Sequence, residues 1–127
     1  MYDEFSLVVP VFNEEGNIEI LYQKTVEMAA KNGFSYEIVF VDDGSTDASR
    51  DIINRLAAAD SNVTKVFFDK NYGQSSAVAA GIIKAGKKAI VTIDADLQND
   101  PDDIPAFLQE LASFDVVCGY RKKRRDS

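Results

Sequence analysis

Several features are scarce or missing in this chain, and their absence excludes classes of protein and site. The sequence has 127 residues, no histidine and a single cysteine, Cys118. One cysteine cannot form an internal disulfide, and its apolar neighbours indicate a small buried side chain without a catalytic role. No apolar run approaches the roughly 18 to 20 residues that a membrane-spanning helix needs. The N-terminal residues 1–4 lack the basic start of a signal peptide, so we expect this chain to be soluble and to stay on the cytosolic side.

The charge is divided between an acidic body and a basic C-terminal cluster. The net charge is −7, and residues 121–126 contribute five positive charges and one negative, which leaves −11 for the rest. An acidic body argues against nucleic acid as a partner. The basic cluster suits phosphates or an anionic membrane surface, with a solvated tail as the alternative. The length and the 46% of hydrophobic residues predict one folded domain over residues 1–127.

Apolar, β-branched segments alternate with helical patterns along the whole chain. The predicted strands are residues 5–11, 36–41, 63–68, 88–93 and 115–118. The predicted helices are residues 17–31, a helix that begins at Ser45 or Thr46, residues 74–85, and a helix from Pro101 or Pro105 to about residue 112. This alternation needs right-handed crossovers and a mostly parallel sheet covered on both faces, which is a three-layer α/β domain.

Polar segments follow three of the predicted strands: residues 13–15 (NEE), 42–45 (DDGS) and 94–96 (DAD). In open parallel sheets, ligands bind beyond the carboxyl ends of the strands, where the strand order reverses. We therefore expect the three segments to converge on one crevice.

The most informative of these segments contains two aspartates, Asp94 and Asp96. Residues two apart at a strand end point to the same side, so we expect the two carboxylates together and Ala95 facing the other way. Mg²⁺ or Mn²⁺ would relieve their repulsion and accept diphosphate oxygens as further ligands. Such a cation stabilises charge on a departing diphosphate. An acidic pair alone is a weak signal, and its position after an apolar strand strengthens it.

Asp42 and Asp43 offer a second candidate contact, because a carboxylate accepts hydrogen bonds from a ribose hydroxyl or a base N–H. The alternative is that this segment serves to cap the helix that follows it. The segment that follows contains Ser45, Thr46 and Asp47, which are suited to cap the next helix. This interpretation leaves Asp42 as the better ligand candidate of the two aspartates.

Four segments together resemble family 2 glycosyltransferases over nearly the whole chain. They are residues 9–15 (VPVFNEE), 41–47 (VDDGSTD), 71–81 (NYGQSSAVAAG) and 94–101 (DADLQNDP). The DADLQ segment with the later GYR at residues 119–121 is similar to the dolichyl- or polyprenyl-phosphate sugar transferase branch. The order and spacing of the four segments are far more specific than any single motif.

The resemblance implies a GT-A fold and a set of site residues. The implied nucleotide-sugar contacts are Pro10, Phe12, Glu14, Asp42, Asp43, Asn71, Gly73, Asp94 and Ala95. Asp94 and Asp96 would hold the metal and the diphosphate. The implied catalytic residues are Asp94, Asp96, Gln98 and Arg121. Arg121 matches the family position that contacts phosphate, an interaction that suits the guanidinium fork, and Arg124 is a weaker candidate.

The resemblance also implies an activity: inverting transfer of a sugar from a UDP- or GDP-sugar to a polyprenyl phosphate, with Mg²⁺ or Mn²⁺. A phosphate monoester, with a second pKa of about 6, is already an anionic nucleophile at neutral pH, so the lack of histidine is no obstacle. A hydroxyl acceptor would need a base. Members of the family continue beyond the basic segment, so we expect a longer, membrane-associated protein at the cytoplasmic face, in cell wall or lipopolysaccharide synthesis. The sequence is also compatible with a homo-oligomer.

Three alternatives remain. The first is a family 2 transferase with another acceptor, such as a polysaccharide. The second is a metal-dependent phosphotransferase or phosphatase with a nucleophilic aspartate. Such enzymes usually have Gly-Thr after the acidic pair, whereas Leu97 and Gln98 follow it here. The third is a noncatalytic nucleotide-binding or interaction domain.

Overall fold

A computed structural model describes residues 3–110 and the backbone of the strand residues 116–117. The strands are β1 (Glu4–Val11), β2 (Ser35–Asp42), β3 (Val63–Phe67), β4 (Ile90–Thr92) and β5 (Val116–Val117). The helices are α1 (Ile18–Asn32), α2 (Ser49–Ala59), α3 (Gln74–Lys84) and α4 (Ile104–Glu110), the last preceded by a 3₁₀ turn at Pro101–Asp103. The described helices include none that is both long enough and apolar enough to cross a membrane.

The five strands form one parallel sheet in the order β3-β2-β1-β4-β5. Val8 of β1 lies opposite Val39 of β2 on one side and Thr92 of β4 on the other. The chain adds β2 and β3 on one side of β1, then returns to add β4 and β5 on the other. The strand order therefore reverses between β1 and β4, which is where a ligand crevice is expected.

Helices cover both faces of the sheet. Alternate residues of its central strand, β1, point to opposite faces and so contribute to two cores. Phe5, Leu7 and Val9 of β1 belong to a core that also contains residues of α1, α2 and α4. Val8 belongs to a second core with Ala77 of α3. The predicted three-layer α/β architecture is confirmed.

Helix α3 lies unusually close to the sheet, and Gly81 permits that approach. A Cβ atom at Gly81 would lie 2.3 Å from Cγ1 of Val8 and 3.1 Å from Cγ2 of Val41. Glycine is required here for space. The close packing fixes the position of α3, whose first residue, Gln74, reaches the site described below.

Most predicted boundaries are close to the observed ones. Helix α1 ends at the predicted stop, where Gly33 has a left-handed φ of 69° and donates its N–H to the last carbonyls. The last helical segment begins at Pro101. Strand β4 is shorter than predicted. The predicted start of the second helix is wrong, because α2 begins at Ser49.

Candidate nucleotide-sugar site

A cleft of about 140 Å³ opens at the carboxyl ends of β1 and β4, where the strand order reverses. It is lined by Pro10, Val11, Phe12, Glu14, Asp43, Gln74, Asp94, Ala95 and Asp96. Four of these residues are acidic. They come from the segments after β1, β2 and β4, so the predicted convergence of three segments on one crevice is confirmed.

Asp94 and Asp96 share the cleft, but strand alternation does not bring them together. Strand β4 ends at Thr92, and residues 95–96 belong to a turn. Ala95 borders the cleft beside both aspartates, but it is 2% exposed and belongs to the buried core, which agrees with the prediction that its side chain faces the other way. The turn continues into Leu97, whose φ of 66° is rare for a bulky side chain. The Leu97 side chain packs against the core, which offsets this backbone strain.

Hydrogen bonds orient both carboxylates. Oδ1 of Asp94 accepts from Nε2 of Gln74 at 2.7 Å. Oδ1 of Asp96 accepts from the backbone N–H of Gln98 at 3.1 Å, and the Gln98 side chain is exposed. Gln74 is a cleft residue that the sequence analysis missed. The available signal was a polar donor at the first position of a helix that follows a strand.

The Asp43 carboxylate organises the loop between β3 and α3. It is 4% exposed and accepts from the backbone N–H groups of Tyr72 at 2.7 Å and Gly73 at 3.0 Å. Nδ2 of Asn71 donates to it at 3.1 Å. Asn71 and Gly73 are therefore tied to a cleft residue without lining the cleft themselves, and their contact with a ligand stays a prediction.

Asp42 is fully buried and does not line the cleft. Its Oδ2 accepts from Nε of Arg50 at 2.8 Å and from the N–H of Ser45 at 3.0 Å. Its Oδ1 has no hydrogen-bond partner within the described part of the chain. A buried unpaired acceptor costs about 1–3 kcal/mol. The predicted nucleotide contact of Asp42 stays a prediction, and direct contact requires its neighbours to move.

Residues 45–48 do not begin α2, because their polar groups are used between loops. Oγ of Ser45 accepts from the backbone N–H of Asn13 at 2.8 Å. The N–H groups of Thr46 and Asp47 donate to Oδ1 of Asn13 at 2.8 and 3.2 Å. Ser45 and Thr46 therefore do not cap α2 as predicted, because their partner, Asn13, lies more than 30 positions earlier. Asp47 does serve the helix, since its Oδ1 accepts from the N–H of Ser49, the first residue of α2, at 2.9 Å.

The acidic residues of the cleft do not by themselves form a complete metal-binding group. Among residues 3–110 there is no group of three or more His, Cys, Asp or Glu that could hold a metal ion. Mg²⁺ and Mn²⁺ accept one or two carboxylates and complete their coordination with phosphate oxygens and water. The pair Asp94 and Asp96 fits that donor set. Arg121, Arg124 and Cys118 lie outside the described residues.

Residues 6–127 match the family described as Glycosyl transferase family 2. The chain belongs to this family. An undecaprenyl-phosphate 4-deoxy-4-formamido-L-arabinose transferase from Pseudomonas fluorescens SBW25 is 40% identical over 124 residues, 96% of this chain and 36% of the relative. Proteins of the same name from Pseudomonas aeruginosa LESB58 and Sodalis glossinidius are 40% identical over 127 residues, 98% of this chain. This family 2 chain spans only 36% to 39% of the length of these curated relatives.

Solved structures show the same fold. A mannosyltransferase from Pyrobaculum calidifontis, in complex with GDP-Man and Mn²⁺, has a TM-score of 0.74 at 24% identity over 90% of this chain and 34% of that chain. S. aureus TarS 1-349 in complex with UDP has a TM-score of 0.65 at 22% identity over 85% of this chain and 32% of that chain. At these identities the likeness shows the fold alone, and it confirms the predicted GT-A fold.

Proposed function

We propose that this family 2 chain binds a nucleoside-diphosphate sugar together with Mg²⁺ or Mn²⁺ and forms the donor half of a sugar transferase. The observation that carries the proposal is the acidic cleft at the reversal of strand order, lined by Asp94 and Asp96. A cleft with this charge repels a bare diphosphate. A divalent cation converts that repulsion into attraction, because it binds carboxylate and phosphate oxygens together.

The other lining residues suit the nucleoside. Pro10 and Phe12 supply apolar surface, and Phe12 is 45% exposed, which leaves its ring accessible to a base. Glu14 and Asp43 supply carboxylates that accept hydrogen bonds from hydroxyl or N–H groups. Two fold neighbours were solved with UDP or with GDP-Man and Mn²⁺, which supports a nucleotide and a divalent cation as the ligands of this fold.

The proposed acceptor is a polyprenyl phosphate, and the names of the relatives support undecaprenyl phosphate. In the proposed step, an acceptor phosphate oxygen forms a bond to the anomeric carbon while the bond from that carbon to the diphosphate breaks. The nucleoside diphosphate leaves with the bonding electrons, and the configuration inverts. No proton has to be removed from the nucleophile, because the phosphate is already anionic at neutral pH. When bound, the cation would stabilise the negative charge that develops on the leaving group.

The remaining assignments belong to the same proposal. Gln98 would approach the donor, and Arg121 would contact phosphate oxygens. A lipid-phosphate acceptor puts the reaction at the cytoplasmic face of a membrane. Because the chain spans well under half of its relatives, the elements that bind the acceptor are expected in further sequence.

Calorimetry with UDP and GDP, each with and without Mn²⁺, tests the donor site. We expect metal-dependent binding of one nucleotide. Asp96→Ala should weaken it about tenfold or more, or by ~1.4 kcal/mol. Asp103→Ala is the matched control, since it removes one exposed carboxylate that does not line the cleft. Equal affinities for wild type and Asp96→Ala would refute the metal assignment.

A transfer assay with the full-length protein, undecaprenyl phosphate and labelled nucleotide sugars separates the remaining alternatives. Formation of labelled lipid supports the transferase. Metal-dependent nucleotide binding without transfer to lipid phosphate or polysaccharide would instead support a noncatalytic binding unit. Trapping of an aspartyl-phosphate would support the phosphotransferase alternative.

A further inference from the structure

Asn13 lies between two residues that line the cleft, Phe12 and Glu14, yet its own side chain does not line it. Its Oδ1 accepts hydrogen bonds from the backbone N–H groups of Thr46 and Asp47 at 2.8 and 3.2 Å. These groups directly precede α2. A side chain of the loop after β1 therefore satisfies donors that open another element, which a local capping residue would normally do.

The contact between the two segments runs in both directions. Side chains of the segment before α2 and of Ser49, the first residue of α2, accept from the backbone of residues 13–15, and Glu15 returns one contact to the segment before α2. These hydrogen bonds are Asn13 N to Ser45 Oγ at 2.8 Å, Glu14 N to Ser49 Oγ at 3.0 Å, Glu15 N to Asp47 Oδ2 at 3.2 Å, and Ala48 N to Glu15 Oε1 at 2.9 Å. We call this set of contacts, with those of Asn13 Oδ1, the loop clasp.

The backbone at Asn13 adds a second requirement. Its φ is 54°, in the left-handed region that most side chains avoid and that asparagine, aspartate and glycine tolerate. This conformation turns the chain directly after Phe12. Asparagine meets both requirements of the position, because it adopts the left-handed backbone and supplies an acceptor for two N–H groups.

We infer that Asn13 is a positioning residue for the donor site: through the loop clasp it fixes Phe12 and Glu14 in the cleft. The inference rests on the proposed function. Asn13 does not need to touch the ligand. Without the clasp, the loop would sample other conformations, and ligand binding would have to restore the ordered one.

Three substitutions separate the two requirements. Asn13→Asp keeps the acceptor and tolerates the left-handed backbone, so nucleotide affinity with Mn²⁺ should stay within about threefold of wild type. Asn13→Gly keeps the backbone freedom and removes the acceptor, so affinity should fall about tenfold. Asn13→Ala removes both and should bind most weakly. Recovery of affinity in Asn13→Asp relative to Asn13→Gly is the signature of the acceptor.

A control distinguishes positioning from a general loss of stability. Glu37 lies near the beginning of β2, at the opposite end of the strand from the cleft, and does not line the cleft. Glu37→Gln should lower the melting temperature and leave the nucleotide Kd unchanged when both are measured well below that temperature. Asn13→Gly should raise the nucleotide Kd even if its melting temperature equals that of Glu37→Gln.

The outcomes are distinct. A wild-type chain that binds neither UDP nor GDP with Mn²⁺ overturns the proposed function and this inference with it. Wild-type binding that Asn13→Gly leaves unchanged, or weakens no more than Glu37→Gln does, overturns the inference alone. Weak binding by Asn13→Asp and Asn13→Gly alike would also contradict it, because the acceptor would then be irrelevant.

Discussion

Gln74 donates a hydrogen bond from Nε2 to Oδ1 of Asp94 across 2.7 Å and so joins the start of α3 to the turn after β4. Partners of this kind orient metal-binding carboxylates, and their loss typically costs 10- to 100-fold in metal affinity. Gln74→Leu should therefore weaken Mn²⁺-dependent nucleotide binding about tenfold. Ser76→Ala, an exposed position on the same helix, should bind like wild type. Unchanged affinity in Gln74→Leu, measured by calorimetry, would remove this role from Gln74.

Gly44 should tolerate no side chain. Its φ is 79°, and a Cβ atom there would lie 2.4 Å from the backbone carbon of Lys70 and 2.6 Å from the nitrogen of Asn71. Gly44→Ala thus combines backbone strain with a clash against another loop, and we expect a loss of about 2–4 kcal/mol in the free energy of unfolding.

Gly16 is the matched control for that substitution, because a Cβ atom there meets nothing within 4 Å. Gly16→Ala should change the free energy of unfolding by less than about 0.5 kcal/mol. Urea unfolding monitored by circular dichroism measures both variants. Similar stabilities for the two would contradict the close approach of the loops at residues 44 and 70.

The sheet and its cleft were predictable because their signals are local. Apolar segments such as residues 5–11 are typical of buried strands, and a parallel sheet brings the segments after its strands to one edge. The shared cleft of Asp94 and Asp96 follows from that topology. The turn that carries the two aspartates did not follow, because β4 ends at Thr92 and strand alternation no longer applies beyond it.

The predictions that failed depend on hydrogen bonds between segments that are distant in sequence. Thr46 has the character of a helix cap, but its backbone N–H donates to Asn13, 33 positions earlier. Gln74 was missed because its contact with Asp94 depends on how closely α3 packs against the sheet at Gly81. The order of Asp42 and Asp43 in sequence likewise does not indicate which of them lines the cleft.

The Glu37 carboxylate should make stability depend on pH. It accepts hydrogen bonds from Oγ of Ser6 at 2.6 Å, the N–H of Gly86 at 2.8 Å and Oγ1 of Thr64 at 2.9 Å. Burial raises the pKa of Glu37, but these hydrogen bonds outweigh burial, so its pKa lies below the ordinary value of 4.5. The stabilisation is therefore present above pH 4.5 and is lost as the pH falls through the lowered pKa of the folded state.

Glu37→Gln tests this dependence. At pH 7 the substitution should lower the free energy of unfolding by about 1 kcal/mol, since it exchanges hydrogen bonds to a charged acceptor for weaker ones. The difference from wild type should shrink as the pH is lowered below 4.5. Glu27→Gln, at an exposed position of α1, is the control and should change little at any pH. A difference between Glu37→Gln and wild type that stays constant from pH 7 to pH 3 would contradict the assignment.

Two tyrosines share one carboxylate oxygen, and their contributions to stability should be coupled. The hydroxyl groups of Tyr22 in α1 and Tyr36 in β2 both donate to Oδ2 of Asp60, which follows α2. Tyr22→Phe or Tyr36→Phe alone leaves that oxygen one donor, so each should cost about 1 kcal/mol of the free energy of unfolding. The double variant leaves Oδ2 without either donor, and its cost should exceed the sum of the two single costs by about 0.5 kcal/mol or more.

A double-mutant cycle by urea unfolding measures this coupling. Tyr72→Phe serves as the control, because its hydroxyl donates to Asp69 at an exposed position, where water replaces the lost contact and the cost should be near zero. Strictly additive costs for Tyr22→Phe and Tyr36→Phe would mean that water satisfies Asp60 equally well in all variants.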